Sequence, residues 1–182
     1  MIYLPFPKFF LMMRFLIAIS FIIIWCSCST TTIYLVRHGE KQAPNPNVPP
    51  NDVELSDAGQ ARALVLRDSM QPKSVKAVFA TTVRRTQQTV EPTALAKGLT
   101  VRQYQATQPA ANALLDSLAA IKGKKFLVAG HSNTVPAMVR HLGLPCSFTG
   151  NIPENDFDNM FIITIKKGVK TVRETTYGNP SP

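Results

Sequence analysis

Arginine and histidine stand side by side at Arg37-His38-Gly39-Glu40, directly after the apolar run Ile33-Tyr34-Leu35-Val36. Strand propensity stops at the glycine, so this spacing presents both side chains where a strand runs out into a loop. In open α/β sheets that edge is where ligands bind. An imidazole there can attack phosphorus as a nucleophile, and a neighbouring guanidinium can grip phosphoryl oxygens in a bidentate fork.

Two further segments repeat the arrangement. Thr81-Thr82-Val83-Arg84-Arg85 follows the strand candidate Val75 to Ala80 and opens a helical pattern, with Thr81 or Thr82 as its expected cap. Arginine in a first helical turn opposes the macrodipole, and is sensible where an anion binds. Gly130-His131-Ser132-Asn133-Thr134 follows the apolar run Lys125 to Ala129. A lone strand-end histidine is ordinarily structural; three strand ends delivering Arg37, His38, Arg85 and His131 to one rim make a phosphoryl site. Ser132 and Asn133 are expected to assist in phosphate binding. Arg84, Arg62 and Arg67 read as solvent-facing, His141 as structural, and Ser56 as a helix cap.

These motifs, in this order, resemble the histidine phosphatase (phosphoglycerate mutase-like) superfamily. The carriers are Arg37-His38-Gly39, Leu55-Ser56-Asp57-Ala58-Gly59, the segment around Arg85, and Gly130-His131-Ser132. The resemblance covers about residues 31 to 142 and implies a phosphohistidine on His38, with no metal or other cofactor. Many members carry a carboxylate general acid after the third strand, where this chain reads Gln103-Tyr104-Gln105-Ala106-Thr107-Gln108; another branch has Asp after the second histidine, where this chain has Ser132. Glu40 is the first candidate for the acid or for a substrate contact, ahead of Glu154, Asp156 and Asp158. The short interval between Arg85 and His131 resembles the compact branch of the family.

The elements needed to position these groups are legible too. Strand candidates near 32–36, 75–80, 100–104 and 125–129 alternate with helical patterns near 56–68, 84–97, 109–121 and 134–142. Such alternation predicts a three-layer α/β/α sandwich on a mainly parallel sheet, as in the phosphoglycerate mutase-like fold. Asn159 to Ile165 and Val169 to Thr176, around Lys167-Gly168, predict an antiparallel hairpin at one edge. Ala43 to Pro50 is expected to be an irregular loop beside the site. Residues 29–182 are the size of one domain.

Residues 1–28 read differently. Lys8 and Arg14 precede the apolar run Phe15 to Trp25, which ends in Cys26-Ser27-Cys28-Ser29. This is the pattern of a signal peptide or an N-terminal membrane anchor, with Cys28 as a candidate lipidation site in a bacterial lipoprotein. The expected location is the cell envelope, exported and periplasmic or membrane-anchored. Without this segment the net charge falls from +9 to +7. The basic field suits anionic substrates, and no interleaved aromatic and basic stripe suggests nucleic acid. Cys146 alone remains among the cysteines, so no internal disulfide or zinc site is expected.

The expected activity is phosphatase hydrolysis of phosphomonoesters or related phosphoryl compounds, on a phosphorylated small molecule or phosphoprotein. The alternatives are a phosphohistidine or phosphoprotein phosphatase, a mutase-type phosphotransferase, and a catalytically weak exported module that binds phosphate ligands.

Overall fold

The computed structural model describes residues 29–50 and 52–181. Cys28, and with it the signal or anchor reading of residues 1–28, lies outside the described residues.

The chain alternates strictly: β1 (Thr30–Arg37), α1 (Asp57–Met70), β2 (Ala77–Thr81), α2 (Arg84–Ala96), β3 (Val101–Tyr104), α3 (Gln108–Ala120), β4 (Lys125–Gly130), α4 (Thr134–His141), then the hairpin β5 (Asn159–Lys166) and β6 (Val169–Thr176). The sheet order is β3-β2-β4-β1-β5-β6. The first four of these are mutually parallel; β5 runs antiparallel to β1, and β6 antiparallel to β5. This is the expected three-layer α/β/α architecture with an antiparallel edge.

Period-two alternation divides the core. Ile33, Leu35, Phe79, Phe126, Val128, Phe161 and Ile163 face one side, where Leu115, Leu118, Met138 and Val139 of α3 and α4 cover them. Tyr34, Val36, Val78, Ala80, Leu127 and Ala129 face the other, under Leu66, Met70, Val90 and Ala94 of α1 and α2. With both faces covered, β1 is buried over nearly its whole length. Each fully buried aliphatic side chain contributes roughly 1.5–3 kcal/mol, enough to make the strand register firm.

That register sets the site. Arg37 of β1 pairs with Gly130 of β4, Val36 with Ala129, and Ala80 of β2 also with Ala129. The carboxyl ends of three parallel strands therefore finish level with one another.

Candidate active site

The chain leaves β1 along a constrained path. The His38 amide donates to the Gly130 carbonyl at 3.1 Å, prolonging the β1–β4 ladder, and the Gly39 amide donates to Thr89 Oγ1 at 3.0 Å. The next turn packs directly on the start of α1. Ser56 caps that helix as expected, accepting from the Gly59 amide, while its own amide donates to the Glu40 carbonyl at 2.9 Å. A Cβ on Gly59 would stand 2.2 Å from the Glu40 oxygen, so only glycine permits this approach. The Leu-Ser-x-x-Gly segment thus serves to hold the backbone that follows His38.

His38 is almost fully buried. Its Nδ1 lies 2.8 Å from the Gly39 carbonyl, which can only accept, so Nδ1 carries the proton and Nε2 keeps a lone pair. Arg85 Nε donates to that Nε2 at 3.1 Å. Burial, opposed by the bond to Gly39 and reinforced by Arg85, His131 and Arg37, lowers the His38 pKa to about 3. The ring of His131 stands edge-on to that of His38, with centroids 5.5 Å apart. Burial, then Arg85 and Arg37, takes its pKa down to about 4. Both imidazoles are neutral at physiological pH.

Arg37 is buried to 1 % exposure and lies beneath the loop that follows α4. Its Nη1 donates to the carbonyls of Pro153 and Asp156, at 2.5 and 2.9 Å, and its Nη2 to the Glu154 carbonyl at 3.3 Å. The Phe157 ring stacks 4.2 Å from the guanidinium carbon. Nε, by contrast, is buried with no hydrogen-bond partner. Such an unsatisfied charged donor is costly unless an anion meets it, as a phosphoryl oxygen would. Arg85 is less enclosed, and its Nη1 donates to the Pro50 carbonyl at 3.0 Å. The irregular loop does border the site: a cavity of about 220 Å³ lies against Arg85, lined also by Lys41, Gln42, Pro44, Val48 and Val53.

Several residues depart from expectation. The carboxylate of Glu40 is held by Arg62, with Nη2 at 2.6 Å and Nε at 2.9 and 3.0 Å from its oxygens. Burial acts to raise the Glu40 pKa, but these bonds outweigh it and hold the carboxyl below its ordinary value. That is the opposite of what a general acid requires. Arg62, expected in solvent, is 7 % exposed and also donates to the Tyr177 and Asn179 carbonyls. Arg84 and Arg67 do face solvent as expected, Arg84 pairing with Glu54 at 2.6 Å and Arg67 lying beside Asp68. Neither Thr81 nor Thr82 caps α2; its N-cap is Val83, without a side-chain bond. Thr81 faces the site instead, with Oγ1 3.0 Å from His131 Nε2 and 2.7 Å from Thr86 Oγ1.

Ser132 is partly exposed and Asn133 exposed just beyond His131; the Ser132 carbonyl accepts from Ile152. His141 pairs with Asp116 on the outer surface, away from the cluster. Of the weaker acid candidates, Glu154 reaches the site, its Oε2 lying 3.4 Å from Arg37 Nη2 and 3.7 Å from Lys41 Nζ. Burial raises the Asp156 pKa, with Asp158 adding to the effect. Sequence reading did not single out Thr89 or Phe157. Their only signal is position, one turn after Arg85 and within the loop beyond His131. Among the described residues no cluster of His, Cys, Asp and Glu is placed to hold a metal ion.

Residues 33–108 match the family model described as histidine phosphatase superfamily, branch 1. Over that stretch the chain is similar to this superfamily. Solved structures share the fold. A protein histidine phosphatase SixA complexed with tungstate has a TM-score of 0.63 at 17 % identity, the match covering 80 % of this chain and 96 % of that one. An Agrobacterium tumefaciens chain described as a candidate phosphohistidine phosphatase SixA gives 0.60 at 20 % identity, covering 83 % and 99 %. A mycobacterial glucosyl-3-phosphoglycerate phosphatase gives 0.60 at 14 % identity, covering 81 % and 98 %. No curated protein matches the chain significantly. The Arg-His-Gly strand end and the Arg85 helix lie inside the matched region, and His131 lies beyond it.

Proposed function

We propose that this protein is a phosphatase that works through a phosphohistidine on His38. The observation that carries the reading is the His38 ring itself: Nδ1 is tied to Gly39, and Nε2 is bare apart from Arg85. The Nε2 lone pair attacks phosphorus in line, forming the P–N bond as the bond to the leaving group breaks with its electron pair. Arg37, Arg85 and His131 stabilise the charge spread over the equatorial oxygens, where most phosphoryl-transfer catalysis lies. Water then attacks the phosphohistidine, breaking the P–N bond, releasing phosphate and restoring neutral His38. Ser132 and Asn133, at the rim, make secondary contacts to the substrate.

The substrate class follows from the protonation available. Glu40 is locked to Arg62, so the carboxyl beside the nucleophile is not held protonated for a poor leaving group. Aryl phosphates, acyl phosphates and phosphohistidine leave readily and are favoured over alkyl esters. The basic, partly apolar cavity at Lys41 and Arg85 suits the leaving group of such a phosphorylated small molecule or phosphoprotein. A pure phosphate-binding module has no need of a bare nucleophilic nitrogen. Residues 1–28 direct the protein to the bacterial envelope as a signal peptide or a membrane anchor, with Cys28 as the candidate lipidation site.

The test is rapid acid-free quenching during turnover of p-nitrophenyl phosphate, followed by mass spectrometry. An acid-labile phosphoryl group on the His38 peptide is expected, and both it and phosphate release vanish in His38→Ala. Saturable phosphate binding without turnover in the wild type would establish the binding module instead.

A further inference from the structure

We propose that the sheet edge opposite the histidines is a docking surface for an anionic phospholipid bilayer, holding the catalytic rim toward solvent. The strands begin at this edge. Lys76 precedes β2, Lys122, Lys124 and Lys125 enter β4, and Lys166 and Lys167 form the β5–β6 turn. Strand pairing gathers them: Thr30 pairs with Lys166, Thr32 with Lys125, and the Lys76 amide donates to the Lys125 carbonyl. All six are exposed except Lys125, which is partly so.

Charge separates along the molecule. Glu40, Asp57, Glu154, Asp156 and Asp158 lie at the histidine end, at or beyond strand ends and at the start of α1. Asp68 and Asp116, on helix halves leading to the lysine edge, are already paired with Arg67 and His141. Among the described residues no ion pair joins these six lysines to a carboxylate. Ile121 and Val169, 43 % and 64 % exposed, stand among them as apolar groups able to enter an interfacial layer. Lys167 holds φ 52° in a two-residue turn where asparagine or glycine is the usual choice, so a lysine is kept at the tip against backbone preference.

The point of chain entry identifies the occupant. Ser29 packs on Gly123, between Lys122 and Lys124, and the apolar run Phe15 to Trp25 ends four residues earlier in the sequence. A segment held in a membrane would deliver this lysine face, before any other, to the lipid surface. Tethering raises the local concentration, so a modest patch suffices. Each lysine close to an anionic leaflet strengthens partition by roughly fivefold. β1 spans eight residues, about 25 Å, so His38 would stand well clear of the headgroups and meet soluble substrates. The inference rests on the anchor reading of residues 1–28, which flotation of the full chain with neutral vesicles tests separately.

The docking face is tested by amine acylation of the full chain on phosphatidylcholine vesicles, with and without phosphatidylglycerol, read residue by residue by mass spectrometry. On anionic vesicles the labelling of Lys122, Lys124, Lys166 and Lys167 is expected to slow roughly tenfold and recover at high salt, with Lys41 unchanged. Lys122→Gln with Lys124→Gln should weaken that protection at Lys166 and Lys167 while leaving turnover in solution intact. Equal labelling of the edge lysines on both vesicles, or the same slowing at Lys41, overturns the proposal.

Discussion

Arg85 Nε points at the bare Nε2 of His38 from 3.1 Å, along the direction a phosphorus atom must occupy for attack. Substrate binding therefore has to exchange this bond for one from Arg85 to a phosphoryl oxygen. Arg85→Ala is expected to lower kcat by about 10²–10³, as loss of one transition-state donor does. Arg85→Lys should recover little of it, since an ammonium lacks the planar fork. Steady-state kinetics on aryl phosphates checks both.

The two imidazoles set the response to acid. With folded pKa values of about 3 and about 4, His38 and His131 stay neutral well below neutrality, so kcat/KM for a substrate of fixed charge should hold down to about pH 4–5. Stability behaves differently. An unfolded histidine takes its proton near pH 6.5, so each contribution is complete above that pH and is lost as pH falls toward the folded pKa. The slope is about 1.4 kcal/mol per pH unit for each histidine. Urea midpoints between pH 7 and pH 5 should fall more steeply in the wild type than in His38→Ala.

The Glu40–Arg62 pair predicts a stability defect without an acid-catalysis signature. Glu40→Gln leaves a largely buried guanidinium without its counter-charge, at a cost of about 3 kcal/mol, the low end for a broken buried pair. Rates across phenols of different pKa should shift together, with an unchanged slope against leaving-group basicity. A steeper slope in the variant would restore Glu40 as the proton donor.

Glu154 places a carboxylate beside Arg37 and Lys41, where an anionic substrate must approach. Its side chain is 75 % exposed, so the interaction is weak and screened. Glu154→Gln is expected to tighten inhibition by inorganic phosphate roughly two- to fivefold. Low-salt inhibition constants measure it, and the gain should shrink as salt rises.

Much of this molecule was legible without coordinates because the determining physics is local. Apolar runs ending at glycine mark β1 and β4, and Ser56 caps α1 through a bond only three residues long. The regular alternation of strand and helix leaves few topologies, so Arg37, His38, Arg85 and His131 could be assigned to one rim from order alone. Tertiary structure decided the rest. Arg62 meets Glu40 across 22 residues and the Tyr177 and Asn179 carbonyls across more than a hundred, turning an expected surface cation into a buried tie. Arg37 is clamped by carbonyls of Pro153, Glu154 and Asp156, groups that every residue possesses and that therefore leave no trace in side-chain pattern. Thr81 illustrates the same boundary: its hydroxyl could cap a helix or face His131, and only the position of β4 beside β2 selects the second. Residue type states which bonds are available; the folded chain chooses the partner, because the choice turns on which distant backbone arrives within about 3 Å.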